Sequence, residues 1–296
     1  MKFLITGGEG FIGRTLKQTL LEEGHEVFTL DIEGKPDFKS SIQDLDSVRT
    51  AMKGMDGVFH LAATTSPPQF ESDLLEGFNT NVLGTFNVLT AAADQSVTRA
   101  VLASSSAVYG NIAVPGREDM AIPGHENMYA TTKLFDEYLG KYFSIRNELE
   151  VVSLRLFNTY GNGENSKGAY SSVISKFLES ITMREKPVIF GNGTQRRDFI
   201  YVKDVAESAK IMMYKGKAGE SYNVGTSVST SFNAIAELFS EFFGETIEFS
   251  YKANPFKNYQ LFTQADMTRT YAAINWKAKY NLRQGIIEMM QELNLM

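Results

Sequence analysis

No cysteine occurs among the 296 residues, so neither a disulfide nor a thiolate metal centre is available to this chain. Histidine is nearly as scarce. Only His25, His60 and His125 are present, too scattered in sequence to read as a ligand cluster, and no metal is expected. The apolar stretch in the N-terminal MKFLITGG is too short for a secretion signal, and no run approaches the ~18 residues of a membrane-spanning helix. A cytoplasmic location without membrane attachment is the expectation. An excess of positive charge is lacking too: 29 basic residues face 35 acidic ones, for a net charge of -6. That balance argues against a surface built to blanket nucleic acid or anionic lipid, so an anionic ligand has to be held locally. What remains is an ordinary globular composition, 43% hydrophobic and 12% aromatic, long enough for one large domain or two lobes.

Short apolar runs punctuate the first half. KFLIT (2–6), EVFTLD (26–31), GVFHLA (57–62), RAVLAS (99–104) and VVSLRLFN (151–158) have the length and composition of buried strands, with helical patterns between them. Strands alternating with helices imply an α/β fold with a doubly wound, Rossmann-like parallel sheet. After Asn158 the Gly-, Asn- and Ser-rich YGNGENSKGAYSS reads as a long loop of the kind that carries function. A helix-like SVISKFLESITM, a strand-like PVIF, a second loop GNGTQRRD and a strand-then-helix FIYVKDVAESAKIMMYKG follow. YNVG (222–225) reads as a last strand of the main sheet. The expected division is a nucleotide-binding domain over 1–160 plus about 196–226, with a smaller interleaved lobe from 161–195 and 227–296.

TGGEGFIG places Gly7, Gly10 and Gly13 directly after one strand and at the opening of one helix. A tight turn, close approach of backbone to a pyrophosphate and close helix packing each require a missing side chain, and the helix N-terminus adds donors and positive potential. Asp31 ends the next strand, 18 residues past Gly13, where a carboxylate would hold a ribose 2′-hydroxyl and repel a 2′-phosphate. NAD is therefore favoured over NADP. A glycine turn with an unrelated acidic residue is the plainer alternative, and the combination of strand, loop, helix and acid weighs against it.

Two further features bear chemistry. SSSAVYG (104–110) sets three hydroxyls at the carboxyl end of a strand, where open α/β sheets bind ligands. In NMYATTKLFDEYLGKYF, Tyr129 and Lys133 stand four apart near the start of a helix. An ammonium beside a phenol favours the phenolate and brings a group of pKa about 10 toward use as a general base. Tyr and Lys at this spacing also arise by chance, and only the glycine loop and the hydroxyl-rich strand end lend the pair significance.

With these motifs in order, the chain resembles the extended short-chain dehydrogenase/reductases, specifically the NAD-dependent nucleotide-sugar epimerase/dehydratase group. TGGEGFIG, LD (30–31), HLAA (60–63), NTNVLGT (79–85), SSSAVYG, YATTK, LRLFNTYG (154–161), RRDFIYVKDVA (196–206) and YNVGT (222–226) carry the resemblance. It implies that Phe11 and Ile12 follow the pyrophosphate, that Asp31 and Ile32 hold the adenosine ribose, and that Leu61, Ala62 and Ala63 line the cofactor. Ser41 and Ile42 fall where relatives usually place an Asp and an apolar residue beside adenine, and Asn81 and Phe157 fall near the nicotinamide. Catalysis is implied for Ser105, Tyr129 and Lys133, and Ser104 is left to strand packing. On the substrate side the resemblance points to Ser106, Asn158, Val173, Val188, Phe190 and Arg197, with Arg197 on the diphosphate. Arg196 reads as a solvated charge. A homodimer through the Tyr129 helix and its neighbour near 76–93 is also implied.

Dehydratases of the group typically carry an Asp-Glu pair just after the catalytic hydroxyl, and the group's UDP-glucuronate decarboxylases usually a Glu; here those positions are Ser106 and Ala107. Epimerisation at C4 of a UDP-hexose is therefore the favoured activity. SKGAYSSV (166–173) and NYQLFTQADMT (258–268) also resemble ADP-heptose 6-epimerases, in which a lysine at the place of Lys167 is a second acid/base, although an isolated Lys in a Gly/Ser loop is more often solvated. A 4,6-dehydratase, a keto-sugar reductase and an inactive NAD-sensing protein are the remaining alternatives.

Overall fold

The computed structural model describes residues 1–65, 67–121, 127–164, 168, 171–255 and 259–295. The apolar runs form one parallel sheet of seven strands: β1 (Lys2–Thr6), β2 (Glu26–Asp31), β3 (Phe38–Lys39), β4 (Gly57–His60), β5 (Arg99–Ser105), β6 (Glu150–Leu156) and β10 (Ser221–Val224). Their order is β10-β6-β5-β4-β1-β2-β3. Chain direction along the sheet reverses between β1 and β4, which opens a crevice beyond their carboxyl ends. The inner strands are buried on both faces and so read as unbroken apolar runs: all four residues of β4 are buried.

Alternation along β1 sorts the core into two layers. Phe3 and Ile5 pack with Leu16 and Leu20 of α1 (Phe11–Glu22) and with Val205 and Met212 of α8 (Val202–Lys215). Leu4 turns the other way, toward Val48 of α2 (Leu45–Met52), Val88 and Leu89 of α5 (Gly84–Asp94) and Phe143 of α6 (Met128–Arg146). Short helices α3 (Pro67–Ser72) and α4 (Leu74–Phe78) lead into a π-helical turn, Asn79–Leu83, that runs on into α5. Such wide turns often mark functional sites.

VVSLRLFN is not one strand. β6 ends at Leu156, Phe157 N still donates to Val224 O at 3.0 Å, and the chain then leaves the main sheet as β7 (Asn158–Tyr160). β7 pairs with β9 (Arg196–Tyr201), which also pairs with β11 (Ser229–Ser231). The 196–226 segment thus links both layers, since β9 lies outside the seven-stranded sheet whereas β10 belongs to it. A two-stranded unit, β8 (Val188–Phe190) with β12 (Ser250–Lys252), and helices α7 (Val173–Thr182), α9 (Phe232–Phe243) and α11 (Leu282–Glu292) enclose a third core around Phe177, Phe239 and Ile286. The short α10 (Thr268–Ile274) packs on β10 and α8. No helix among the described residues is long and apolar enough to cross a membrane.

One polar network lies inside the main domain. Glu137 of α6 receives Arg155 of β6 in a two-pronged ion pair, Nε to Oε1 at 2.9 Å and Nη2 to Oε2 at 2.7 Å. Ser104 Oγ donates to Oε1 at 2.5 Å and Ser221 Oγ to Oε2 at 2.8 Å. The helix is thereby tied to β5, β6 and β10. With the two side chains only 4% and 6% exposed, removing one partner leaves the other charge buried and unpaired. Glu137→Ala should destabilise the protein by about 3–5 kcal/mol in urea unfolding.

Candidate active site

At the switch point the glycine loop is held by contacts that admit no side chain. Gly7 has φ +69°, and a Cβ there would lie 2.7 Å from Ala62 N; a Cβ at Gly13 would collide with the Gly7 carbonyl oxygen. Gly7 N donates to Leu30 O and Gly10 N to Gly7 O, closing the turn. Helix α1 starts at Phe11 with Gly10 as its cap and no side-chain hydrogen bond to its first amides. A pyrophosphate is the anion that a glycine turn at a helix start suits. Gly7 brings Leu61 and Ala62 against the loop.

Asp31 braces this loop from the end of β2. Its Oδ2 accepts from Glu9 N at 2.9 Å, and its Oδ1 from Ile32 N at 2.8 Å and Glu33 N at 3.2 Å. Ile32 is exposed beside it. A fixed carboxylate at this place disfavours a 2′-phosphate, so the loop and the acid together fit NAD. Ser41 Oγ accepts from Gln43 N at 3.1 Å and keeps its proton to donate. Ile42, by contrast, packs its side chain into the core with Val48 and Val88, against the bare Cα of Gly84. Ala63 lies between Ala62 and Thr64, and Asn81, fully buried in the π-helical turn, grips Thr64 on both sides: its Oδ1 accepts from Thr64 N and its Nδ2 donates to Thr64 O. Nδ2 also reaches Thr132 Oγ1 at 3.2 Å, so Asn81 joins the β4 loop to α6.

Ser105 ends β5 and caps the 3₁₀ turn Ser106–Tyr109, its Oγ accepting from Ala107 N at 3.1 Å. Helix α6 packs against that turn and carries Tyr129 and Lys133 one turn apart, both buried, with Asn127 as its cap. Ser104 lies in the Glu137 network, in keeping with a packing role. Two groups that the sequence left unnoticed stand behind Lys133. Asp136 Oδ2 lies 3.4 Å from Lys133 Nζ, and burial pushes this carboxyl up to about 7 despite the ammonium. His60 is driven down to about 3, first by burial and then by Lys133, so its ring is neutral. It hydrogen-bonds Thr6 Oγ1 at 2.6 Å through Nδ1 and Thr85 Oγ1 at 2.9 Å through Nε2. An acid three residues after a lysine on a helix ordinarily reads as a surface pair, which is why the sequence alone did not single it out.

On the facing side Asn158 Oδ1 accepts from Thr263 Oγ1 at 3.0 Å. Ser106 and Phe157 line one small cavity with Tyr109, Gln260 and Thr263. Arg197 is buried, stacked 5.1 Å from the Tyr259 ring and bonded to the Gln260 carbonyl; burial lowers its pKa from a very high starting value, and the guanidinium stays charged. Arg196 is exposed and bonds Ser229 O. Val173 opens α7, and Val188 and Phe190 bound β8, all three partly buried. Lys167 and His125 lie outside the described residues.

The steric constraint at the loop is testable. Gly13→Ala forces Gly7 O aside, and NAD affinity in calorimetric titration should fall at least about tenfold, the weakening that ~1.4 kcal/mol represents.

The profile of the family described as "NAD dependent epimerase/dehydratase family" matches residues 3–225. A Methanocaldococcus jannaschii protein provisionally named a UDP-glucose 4-epimerase is 31% identical, over 96% of this chain and 95% of its own. Among solved structures, MoeE5 in complex with UDP-glucose and NAD is 28% identical with a TM-score of 0.91, covering 99% of both chains. The UDP-glucose 4-epimerase of Thermotoga maritima, solved with UDP-glucose, is 26% identical with a TM-score of 0.92, again over 99% of both. The chain thus belongs to the NAD-dependent epimerase/dehydratase family, as an NAD-dependent nucleotide-sugar epimerase built on an extended short-chain dehydrogenase/reductase fold.

Proposed function

We propose that the protein interconverts the C4 epimers of a UDP-hexose through a transient keto sugar, with Tyr129, Lys133 and Ser105 as the catalytic residues. The observation that carries this reading is the composition of the 3₁₀ turn after Ser105. It presents Ser106 and Ala107, with no carboxylate to drive elimination or decarboxylation. Glu118 and Glu137, two buried acids around Arg155, are engaged by Asn223 N and by Arg155. The relatives named as UDP-glucose 4-epimerases support the same reading.

Reversible two-electron oxidation of the sugar carbinol is the chemistry a bound nicotinamide supplies here. Gly7, Gly10, Gly13, Phe11, Ile12 and Asp31 would hold that cofactor at the switch point, with Ile32, Ser41, Ile42, Leu61, Ala62, Ala63, Asn81 and Phe157 around it. Tyr129 takes the proton from the 4-hydroxyl as the carbinol is oxidised and returns it to the opposite epimer. Lys133 favours the phenolate by placing a positive charge beside it. Ser105 hydrogen-bonds the reacting oxygen. Arg197, planar and fixed over Tyr259, suits the diphosphate, and Ser106, Asn158, Lys167, Val173, Val188 and Phe190 are the further candidates around the substrate. Firm binding of the nucleotide lets the keto sugar turn without escaping.

Purified protein offered UDP-, GDP-, ADP-, CDP- and dTDP-sugars should form the C4 epimer of a UDP-hexose, read by NMR; a C6 epimer alone, or no product, would sink the assignment. Tyr129→Phe should lower turnover by about 10²- to 10⁴-fold while nucleotide-sugar binding is retained. A homodimer is proposed from the surface of α5 and α6, where Phe86, Phe135, Tyr138, Tyr142 and Ile145 are all exposed. Light scattering should give twice the monomer mass, and Phe135→Glu should shift it toward one.

A further inference from the structure

Helix α6 buries a charge that the catalytic scheme does not use. Asp136 and Lys133 are 4% and 5% exposed, and Asp136 is the only ionic partner of Lys133 among the described residues. The adjacent Glu137 faces away into Arg155, Ser104 and Ser221. Asp136 is itself incompletely satisfied: its Oδ1 is buried with no hydrogen-bond partner among the described residues. Lys133 and Glu137 on α6 and Thr85 on α5 are the groups that act on it, with neutral His60 of β4 behind Thr85. Burial raises its pKa and Glu137 adds to the rise, while Lys133 and Thr85 oppose it.

A charge within about 4–6 Å shifts a titratable group by one to three pKa units. Lys133 lies one turn from Tyr129 on α6, and a carboxylate paired with its ammonium offsets part of that charge. On the epimerase reading of Tyr129, we propose that Asp136 is a positioning residue that holds Lys133 in place and moderates its field at Tyr129. The chemistry needs this moderation. An epimerase uses one phenol first as base and then as acid, and a phenol made too acidic returns its proton poorly. A hydrogen-bonded line from Thr85 through His60 to Thr6 ends at Ala62, which lies against Gly7, because Thr6 Oγ1 accepts from Ala62 N. Thr85, which acts on Asp136, thus also anchors the line that reaches the loop.

The test follows Tyr129 directly. With NAD bound, the tyrosinate absorbance of each protein minus that of its Tyr129→Phe counterpart is titrated with pH, alongside the pH profile of kcat. Asp136→Asn should lower the phenol midpoint by about one unit, and the acid limb of kcat should move the same way. Thr85→Val removes a group that keeps Asp136 ionised, so it should shift the midpoint downward too, by less. An unmoved or raised midpoint in Asp136→Asn overturns the proposal, even if the melting temperature falls. Should Asp136→Asn not fold, an unmoved midpoint in Thr85→Val overturns it. The absorbance titration uses no substrate, so failure of the UDP-hexose assignment shows up separately, as lack of product from a protein whose Tyr129 titrates as expected.

Discussion

The ion pair between Glu137 and Arg155 sets where α6 lies, and α6 carries Tyr129 and Lys133, the residues proposed for proton transfer. A helix carrying Lys133, Asp136 and Glu137 within five residues would ordinarily turn such charges to water. Here all three are buried, because Glu137 is bound by a two-pronged guanidinium and two serine hydroxyls from three strands. Once that anchor exists, α6 packs against β5 and the turn that Ser105 begins. The hydrophobic contacts of Leu134 and Phe143 complete the docking but do not distinguish one rotation of the helix as sharply as a directional ion pair does.

The opposite wall obeys a different constraint, steric rather than electrostatic. Gly7 and Gly13 leave space that neighbouring backbone already fills, so the loop approaches Ala62 and turns directly into α1. Asp31 stiffens the same loop through Glu9 N. Between the two walls run Asn81, which ties the β4 loop to Thr132, and the His60 relay, which ties β1 to α5. The crevice is thus braced from both sides, which is what the proposed chemistry requires of it.

Much of this was legible beforehand because it is local. Strand 26–31 has the bounds its alternation predicts, and the Tyr129 helix begins beside its Asn127 cap. The break at Phe157 was not legible: an apolar run reads as one strand whether or not its end changes sheets, and the change depends on β9, some forty residues later. Ile42 shows the same limit, since the hole it fills is left by Gly84 on another helix.

By itself the sequence determined the order of strands and helices, the glycine loop with its acid, the Tyr-Lys spacing and the absence of carboxylates after Ser105, since each depends on residues close together in the chain. Only the tertiary structure decided which charges are buried and what they face. Asp136 is an ordinary helical acid until α5 and β4 close over it; its raised proton affinity comes from lost water, which Lys133 only partly offsets, and burial is a property of the assembled fold.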